Sequence, residues 1–253
     1  MNRIGLTTLI LKELRRTVDV ILQSVLTPVI TTVLYFIVFG AALGSHISLR
    51  DGIPYAQFIV PGLMMMAIIP NALGASASGI YFQKYTGAIV FLLTSPMGAF
   101  EIATGYVVAA AIRGLIIGGA VFGTAALVTD ITLAHPLLAI MLLTCIATTF
   151  ALMGLIVGLW ADDFERLTLI PMIILTPATF LGGVFYSIDM LPSLWQHLTQ
   201  LNPFYYMIDA LRWCFFDISH TDPRISLAFI GVLCILSVAI VGILFRTGYR
   251  IKP

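Results

Sequence analysis

Apolar residues in this chain fall in long unbroken runs, not in the alternation of a half-buried strand or the one-sided spacing of a soluble helix. A helix needs about 20 apolar residues to cross roughly 30 Å of hydrocarbon. Six runs reach that length between charges or turn residues: 24–44, 57–79, 102–128, 137–160, 167–186 and 226–245. Only the third holds an internal charge, Arg113, eleven residues beyond Ile102. The pattern predicts an all-α membrane protein with six transmembrane helices, a membrane domain over 24–246 and a cytoplasmic tail at 247–253.

Residues 1–23 follow a different pattern. At 100° per residue Thr8, Lys12, Arg15, Arg16 and Asp19 share one face, while Leu6, Ile10, Leu14, Thr17 and Ile21 share the other. This predicts an amphipathic helix lying in the cytoplasmic interface with its cations near anionic headgroups. Lys12, Glu13, Arg15 and Arg16 cut the early apolar run too soon for a secretory signal.

Between the second and third runs, Phe82, Tyr85, Ile89, Leu92 and Leu93 recur at helical spacing until Pro96 stops them. That helix is too short to span and too apolar for a free loop, so it asks for a partner surface or the membrane. Residues 187–225 are nearly as apolar but are broken by Pro192, Pro203 and Pro223. Two short helices meeting at Asn202 and Pro203 fit this segment, dipping partway back into the outer leaflet, with Trp195, Tyr205, Tyr206 and Trp213 at headgroup depth.

Composition changes the picture only by excluding. Of the 253 residues, 60% are hydrophobic and 10% charged, against about a quarter charged in a soluble domain. With a mean hydropathy of +1.04, lipid must serve as the solvent. A net charge of +1 leaves no basic excess for nucleic acid. Placing both termini inside puts nine lysines and arginines on the cytoplasmic side (Arg3, Lys12, Arg15, Arg16, Lys84, Arg166, Arg246, Arg250 and Lys252) and three outside (Arg50, Arg212 and Arg224), as the positive-inside rule prefers.

The chemistry of an enzyme is missing. The three lysines, Lys12, Lys84 and Lys252, follow Leu11, Gln83 and Ile251, so no phosphate-cradling GxxxxGK[ST] pattern exists. His46, His135, His197 and His220 form no paired metal-ligand spacing, and Cys145, Cys214 and Cys234 form no CxxC. Asp19, Asp51, Glu101, Asp130, Asp162, Asp163, Glu165, Asp189, Asp209, Asp217 and Asp222 all fall at or beyond the expected interfaces, unlike the deep carboxylates of ion-coupled carriers. Arg113 reads either as a cation facing an interior cavity or an anionic headgroup, or as a residue that snorkels. Four GxxxG spacings mark candidate helix contacts: Gly40 and Gly44, Gly114 and Gly118, Gly119 and Gly123, Gly154 and Gly158.

Taken together, this arrangement resembles the permease subunit of a bacterial type-2 ABC transporter of the drug or polysaccharide export kind. The most specific stretch runs Leu175-Thr176-Pro177, Phe180-Leu181-Gly182-Gly183-Val184-Phe185-Tyr186, Leu191-Pro192, Leu201-Asn202-Pro203 and Asp209-Ala210-Leu211-Arg212. Gln57-Phe58-Ile59-Val60-Pro61-Gly62-Leu63 resembles the start of the family's second span. The resemblance implies that residues 86–96, with Thr86, Ile89, Val90, Phe91, Leu92, Leu93 and Pro96, form the coupling helix docking into a separate ABC ATP-binding subunit, which would carry the ATP and magnesium. The helix at 1–23 would be the family's connecting helix.

Family members often carry acidic residues before the paired leucines, where Val90 and Phe91 stand here, so a greasier docking surface is expected. The resemblance further implies two copies of the chain and a pathway lined by Tyr35 and Phe36 of the first span and Met172, Thr176, Phe180 and Phe185 of the fifth. Leu191, Pro192, Leu201, Asn202, Pro203 and Arg212 would belong to the re-entrant segment. The expectation is an inner-membrane permease exporting a hydrophobic or amphipathic solute, whether drug, lipid or lipid-linked glycan. An ion-coupled carrier or channel without an ATPase, and a non-transporting scaffold, are the rival classes.

Overall fold

A computed structural model describes residues 2–41 and 53–248, so His46, Arg50, Asp51, Gly44, Arg250 and Lys252 lie outside the described residues. The described chain contains no strand. Its order is α1 (Arg3–Asp19), α2 (Ile21–Tyr35) with a π-helical continuation (Phe36–Ala41), α3 (Tyr55–Phe58), α4 (Val60–Tyr85), α5 (Ile89–Thr94), α6 (Ala99–Val128) and α7 (Pro136–Trp160). There follow α8 (Phe164–Ile170), a π-helical turn (Pro171–Leu175), α9 (Thr176–Leu181), a 3-10 turn (Ile188–Met190), α10 (Ser193–Gln200), α11 (Pro203–Phe216) and α12 (Pro223–Thr247). Six helical stretches are long and apolar enough to cross a membrane: Leu22–Phe39, Tyr55–Tyr85, Ala99–Val128, Pro136–Trp160, Phe164–Leu181 and Pro223–Thr247.

These six are not equivalent. The most apolar window of the second is 78% buried, against 11%, 19% and 17% for the first, fifth and sixth. The second span, which ends in α4, is therefore the axis of the bundle, with α6 and α7 packed along it and the other three at the periphery. Small residues allow the central approach. A Cβ on Gly154 would stand 2.2 Å from the Leu73 carbonyl oxygen, and one on Gly158 2.4 Å from that of Ala77. Gly114 and Gly118 face Ile68 and Ala72 of α4 in the same way, whereas Gly119 and Gly123 have nothing within 4 Å. Several serine and threonine hydroxyls inside the spans donate to the carbonyl four residues back, as Thr149 does to Cys145 at 2.8 Å and Ser237 to Leu233 at 2.8 Å. This satisfies them where no water can.

The α1 helix buries a different stripe from the one its apolar residues suggest. Leu9, Glu13 and Thr17 are buried, and Leu9 sits against Gly105 of α6. Leu6, Ile10 and Leu14 are only flanking, while Ile4, Leu11 and Val18 face outward. The reason is electrostatic. Arg16 pairs with Glu13 at 3.2 Å and also donates to the Ala75 carbonyl at 3.0 Å and Ser78 Oγ at 3.3 Å, so a charged pair occupies the protein-facing stripe.

The backbone contact between α4 and α7 leaves no room for a side chain. Gly154→Val should lower thermal stability in detergent by the upper part of the roughly 1–3 kcal/mol typical of overpacking, while Gly119→Ala, with open space around it, should hold or raise the unfolding midpoint. An unchanged midpoint for Gly154→Val would contradict the packing described.

Candidate functional site

One end of the bundle gathers the segment α4–α5, the start of α6, the turn after α7 and the N-terminus. Lys84 Nζ donates to the Leu159 carbonyl at 2.6 Å and the Ala161 carbonyl at 3.3 Å, tying the end of α4 to the end of α7. Glu101 accepts from the Gly98 amide at 2.7 Å and from the Asn2 amide, tying α1 to the first turn of α6. Around this frame a short helix stands off the bundle. The predicted helix over 86–96 is shorter in the structure: α4 runs on to Tyr85, Gly87 turns the chain at φ +72°, and only Ile89–Thr94 is helical before Pro96. Ile89 is buried and anchors it, and Leu92 packs partly against the core. Val90, Phe91 and Leu93 are exposed, as are Thr86 and Pro96, and Phe91 is 79% so. Phe82 and Tyr85 of α4 and Phe100 of α6 are exposed at the same end.

The opposite end is locked by a buried arginine. Asn202 caps α11, accepting from the Phe204 amide at 3.1 Å, and its side-chain amide donates to the Ala178 carbonyl at 2.6 Å. Phe204 then stacks on Phe150 at 5.5 Å between centroids. Phe150 is the fifteenth residue of α7, about 21 Å from its start at 1.5 Å per residue. From there α11 returns to its end of the bundle, where Cys214 and Phe215 accept from the His135 and Ala134 amides.

Arg212 is 5% exposed, donates to the Gly183 and Val184 carbonyls, and lies over the Phe58 ring at 3.7 Å. Burial draws its guanidinium down to about 10, against the opposing pull of Asp209. Burial pushes the Asp209 carboxyl above the usual range, opposed by the His220 and Thr221 amides that donate to it at 3.1 and 3.0 Å. Tyr55 donates to the Phe185 carbonyl at 2.9 Å, and Val184 fits against Gly62. Leu191 is half-buried and Leu201 80% exposed; Pro192 immediately precedes α10 and Pro203 starts α11.

Between these ends, the residues expected to line a path divide. Tyr35, Phe180 and Phe185 come together, Tyr35 and Phe180 lying 5.1 and 5.6 Å from Phe185 between centroids, with Phe39 stacked on Phe185 at 4.8 Å. Phe36 instead turns into the core. Thr176 is exposed and donates to the Pro171 carbonyl at 3.2 Å; the Met172 side chain lies outside the described residues. Beside Tyr35 a groove runs between α2 and α4, walled by Thr27, Thr31, Thr32, Leu63, Met66 and Asn71. Its neutral hydroxyls are spread over helical spacing and carry no motif, which is why sequence reasoning missed them.

Residues 5–216 match the ABC-2 type transporter family. The chain is 39% identical over 236 residues to the inner membrane transport permease YadH of Escherichia coli K12, covering 93% of this chain and 91% of that protein. It is 25% identical over 224 residues to nodulation protein J of Rhizobium meliloti strain 1021, covering 87% of this chain and 83% of that one. Nodulation protein J of Sinorhizobium fredii matches at 27% over 203 residues, 79% of this chain and 75% of that protein.

The arginine lock makes its own prediction. Arg212→Leu orphans two buried carbonyls at about 1–3 kcal/mol each, so the unfolding midpoint should fall and residues 181–223 should become protease-sensitive. Arg212→Lys, which lacks the planar fork, should fall between. Wild-type protease resistance in Arg212→Leu would show that the lock holds nothing.

Proposed function

This chain belongs to the ABC-2 type transporter family and is a multi-pass transmembrane permease, and on that premise we propose that it works in the bacterial inner membrane with a separate ABC ATP-binding subunit to export a hydrophobic or amphipathic solute. The observation that carries the reading is the α5 corner. Ile89 fixes a six-residue helix to the end of the buried axis, while Val90, Phe91 and Leu93 are held out where neither bundle nor chain covers them. Apolar side chains presented this way are a docking surface.

Leaving aside Arg113 within α6, seven of the described cations (Arg3, Lys12, Arg15, Arg16, Lys84, Arg166 and Arg246) lie in the α5 half of the bundle or on α1 beside it, against Arg212 and Arg224 in the other, so positive-inside bias makes the α5 end cytoplasmic. ATP and magnesium then act on the docked subunit, and motion enters through α5 and the rod to which it is fixed. We read α10 and α11 as the re-entrant segment on the outer side. A second copy of the chain completes the pathway: the first and fifth spans are thinly covered, and the groove beside Tyr35 is open along one side. Drugs, lipids and lipid-linked glycans all share the amphipathic character that such a groove accepts.

The test is co-purification with the cognate ATP-binding subunit. Phe91→Asp combined with Leu93→Asp should reduce recovery of that subunit at least tenfold while the permease keeps its own unfolding midpoint, because neither side chain supports the core. Stoichiometric recovery with the double variant would remove the coupling assignment.

A further inference from the structure

Arg113 stands at the fifteenth of the thirty residues of α6, just beyond the stretch that α1 sheathes through Asn2 and Leu9. Its Nη2 donates to Ser24 Oγ at 2.8 Å. Its Nε is shut off from solvent without a hydrogen-bond partner, and none of the ion pairs among the described residues includes it. Arg16 at the same corner contrasts with it, being paired with Glu13 and bonded to α4. A half-buried guanidinium without a counter-ion is costly in a low-dielectric setting.

That guanidinium lines a cavity of about 480 Å³ with Gln23, Ser24, Thr27, Pro28 and Asn71, within the roughly 300–1,000 Å³ typical of ligand sites. Thr27, Pro28 and Asn71 also line the groove that leads on to Tyr35, so the two form one channel. The Arg113 end is polar. The far end sets the hydroxyls of Thr31 and Thr32 opposite Leu63, Met66 and Ala67. Asn71 spends one amide hydrogen on the Ala67 carbonyl at 2.9 Å and keeps the other.

We propose that this channel binds an amphipath with an anionic oxyacid head, the head on Arg113 with Ser24, Gln23 and Asn71 around it, and the apolar chain along α2 and α4 toward Tyr35. A guanidinium offers oxyanions several charge-assisted hydrogen bonds in one plane, which a neutral or cationic head cannot use. A membrane phospholipid and a transported solute could both carry such a head. Assigning the head to a transported solute rests on the permease reading; the existence of the site does not.

Native mass spectrometry of the full-length permease, released from phosphatidylcholine micelles with phosphatidic acid added, tests the site. Wild type should retain phosphatidic acid over phosphatidylcholine. Arg113→Gln should weaken that retention about tenfold or more, as loss of a charge-assisted bond implies, and Arg113→Lys should restore part of it. Equal retention by wild type and Arg113→Gln, or equal retention of the two lipids by wild type, overturns the proposal. This measurement needs no ATPase, so it can fail while the permease reading stands. ATP hydrolysis by the full complex in phosphatidylcholine nanodiscs then separates the sources. Stimulation by phosphatidic acid that Arg113→Gln abolishes assigns the head to a transported solute; binding without any change in hydrolysis assigns it to a resident lipid.

Discussion

The structure depends on the contact in which the α7 backbone lies directly on that of α4, with Gly154 and Gly158 meeting the Leu73 and Ala77 carbonyls. Lipid tails are as apolar as leucine, so helices in a bilayer gain little by hiding apolar surface from one another. Close van der Waals packing has to hold them instead, and small residues permit it. With α7 on one side and Gly114 and Gly118 of α6 on another, α4 is enclosed and reaches both ends of the molecule. Lys84 ties its lower end to α7, Gly62 receives Val184 at its upper end, and α5 follows it after the turn at Gly87. Under the docking we propose, a displacement imposed at α5 passes to this enclosed helix across the short turn at Gly87.

The division between what could and could not be read from the sequence follows the same physics. Six spans are legible because bilayer thickness sets one length for all of them. The break at Asn202 and Pro203 is legible because the side chain of one caps the helix that the other starts. The buried face of α1 is not, since Glu13 and Arg16 neutralise one another and so occupy a stripe that a count of apolar residues assigns to water. Glycine spacing marks four candidate contacts, but only the rotation of each helix decides that Gly154 and Gly158 touch backbone while Gly119 and Gly123 face open space. The α5 corner could be found as an apolar segment too short to span; its length could not, because Gly87 reverses the chain inside it. Arg113 stood out as a charge among apolar residues, whereas the threonines and asparagine of its channel are unremarkable one by one.

Charge is concentrated toward the two ends, and the buried Glu101, Asp209 and Arg212 each join segments separated in the chain. Arg212 holds the residues after α9 under α11, and Asp209 gathers the amides that lead into α12. Removing either would leave polar backbone without a partner, which a bilayer-facing end tolerates poorly. These ions are therefore fasteners. They differ from Arg113, whose bond to a serine hydroxyl fastens little and leaves the charge itself unanswered.

The contrast between centre and periphery also separates thinly covered helices from closely packed ones. The first and fifth spans are thinly packed, and both pass through π-helical turns, at Phe36–Ala41 and Pro171–Leu175, where the regular ladder of hydrogen bonds is interrupted. Interdigitated α4, α6 and α7 resist repacking, because each glycine contact has one close-fitting arrangement. The channel lies on this boundary, with Arg113 and Asn71 on the closely packed side and Ser24, Thr27 and Thr31 on the thinly covered one. A ligand shifts such an equilibrium only by binding one arrangement better than the other. An anion held by Arg113 on α6 and by the Ser24 hydroxyl on α2 meets that requirement where the two helices present those groups to it together.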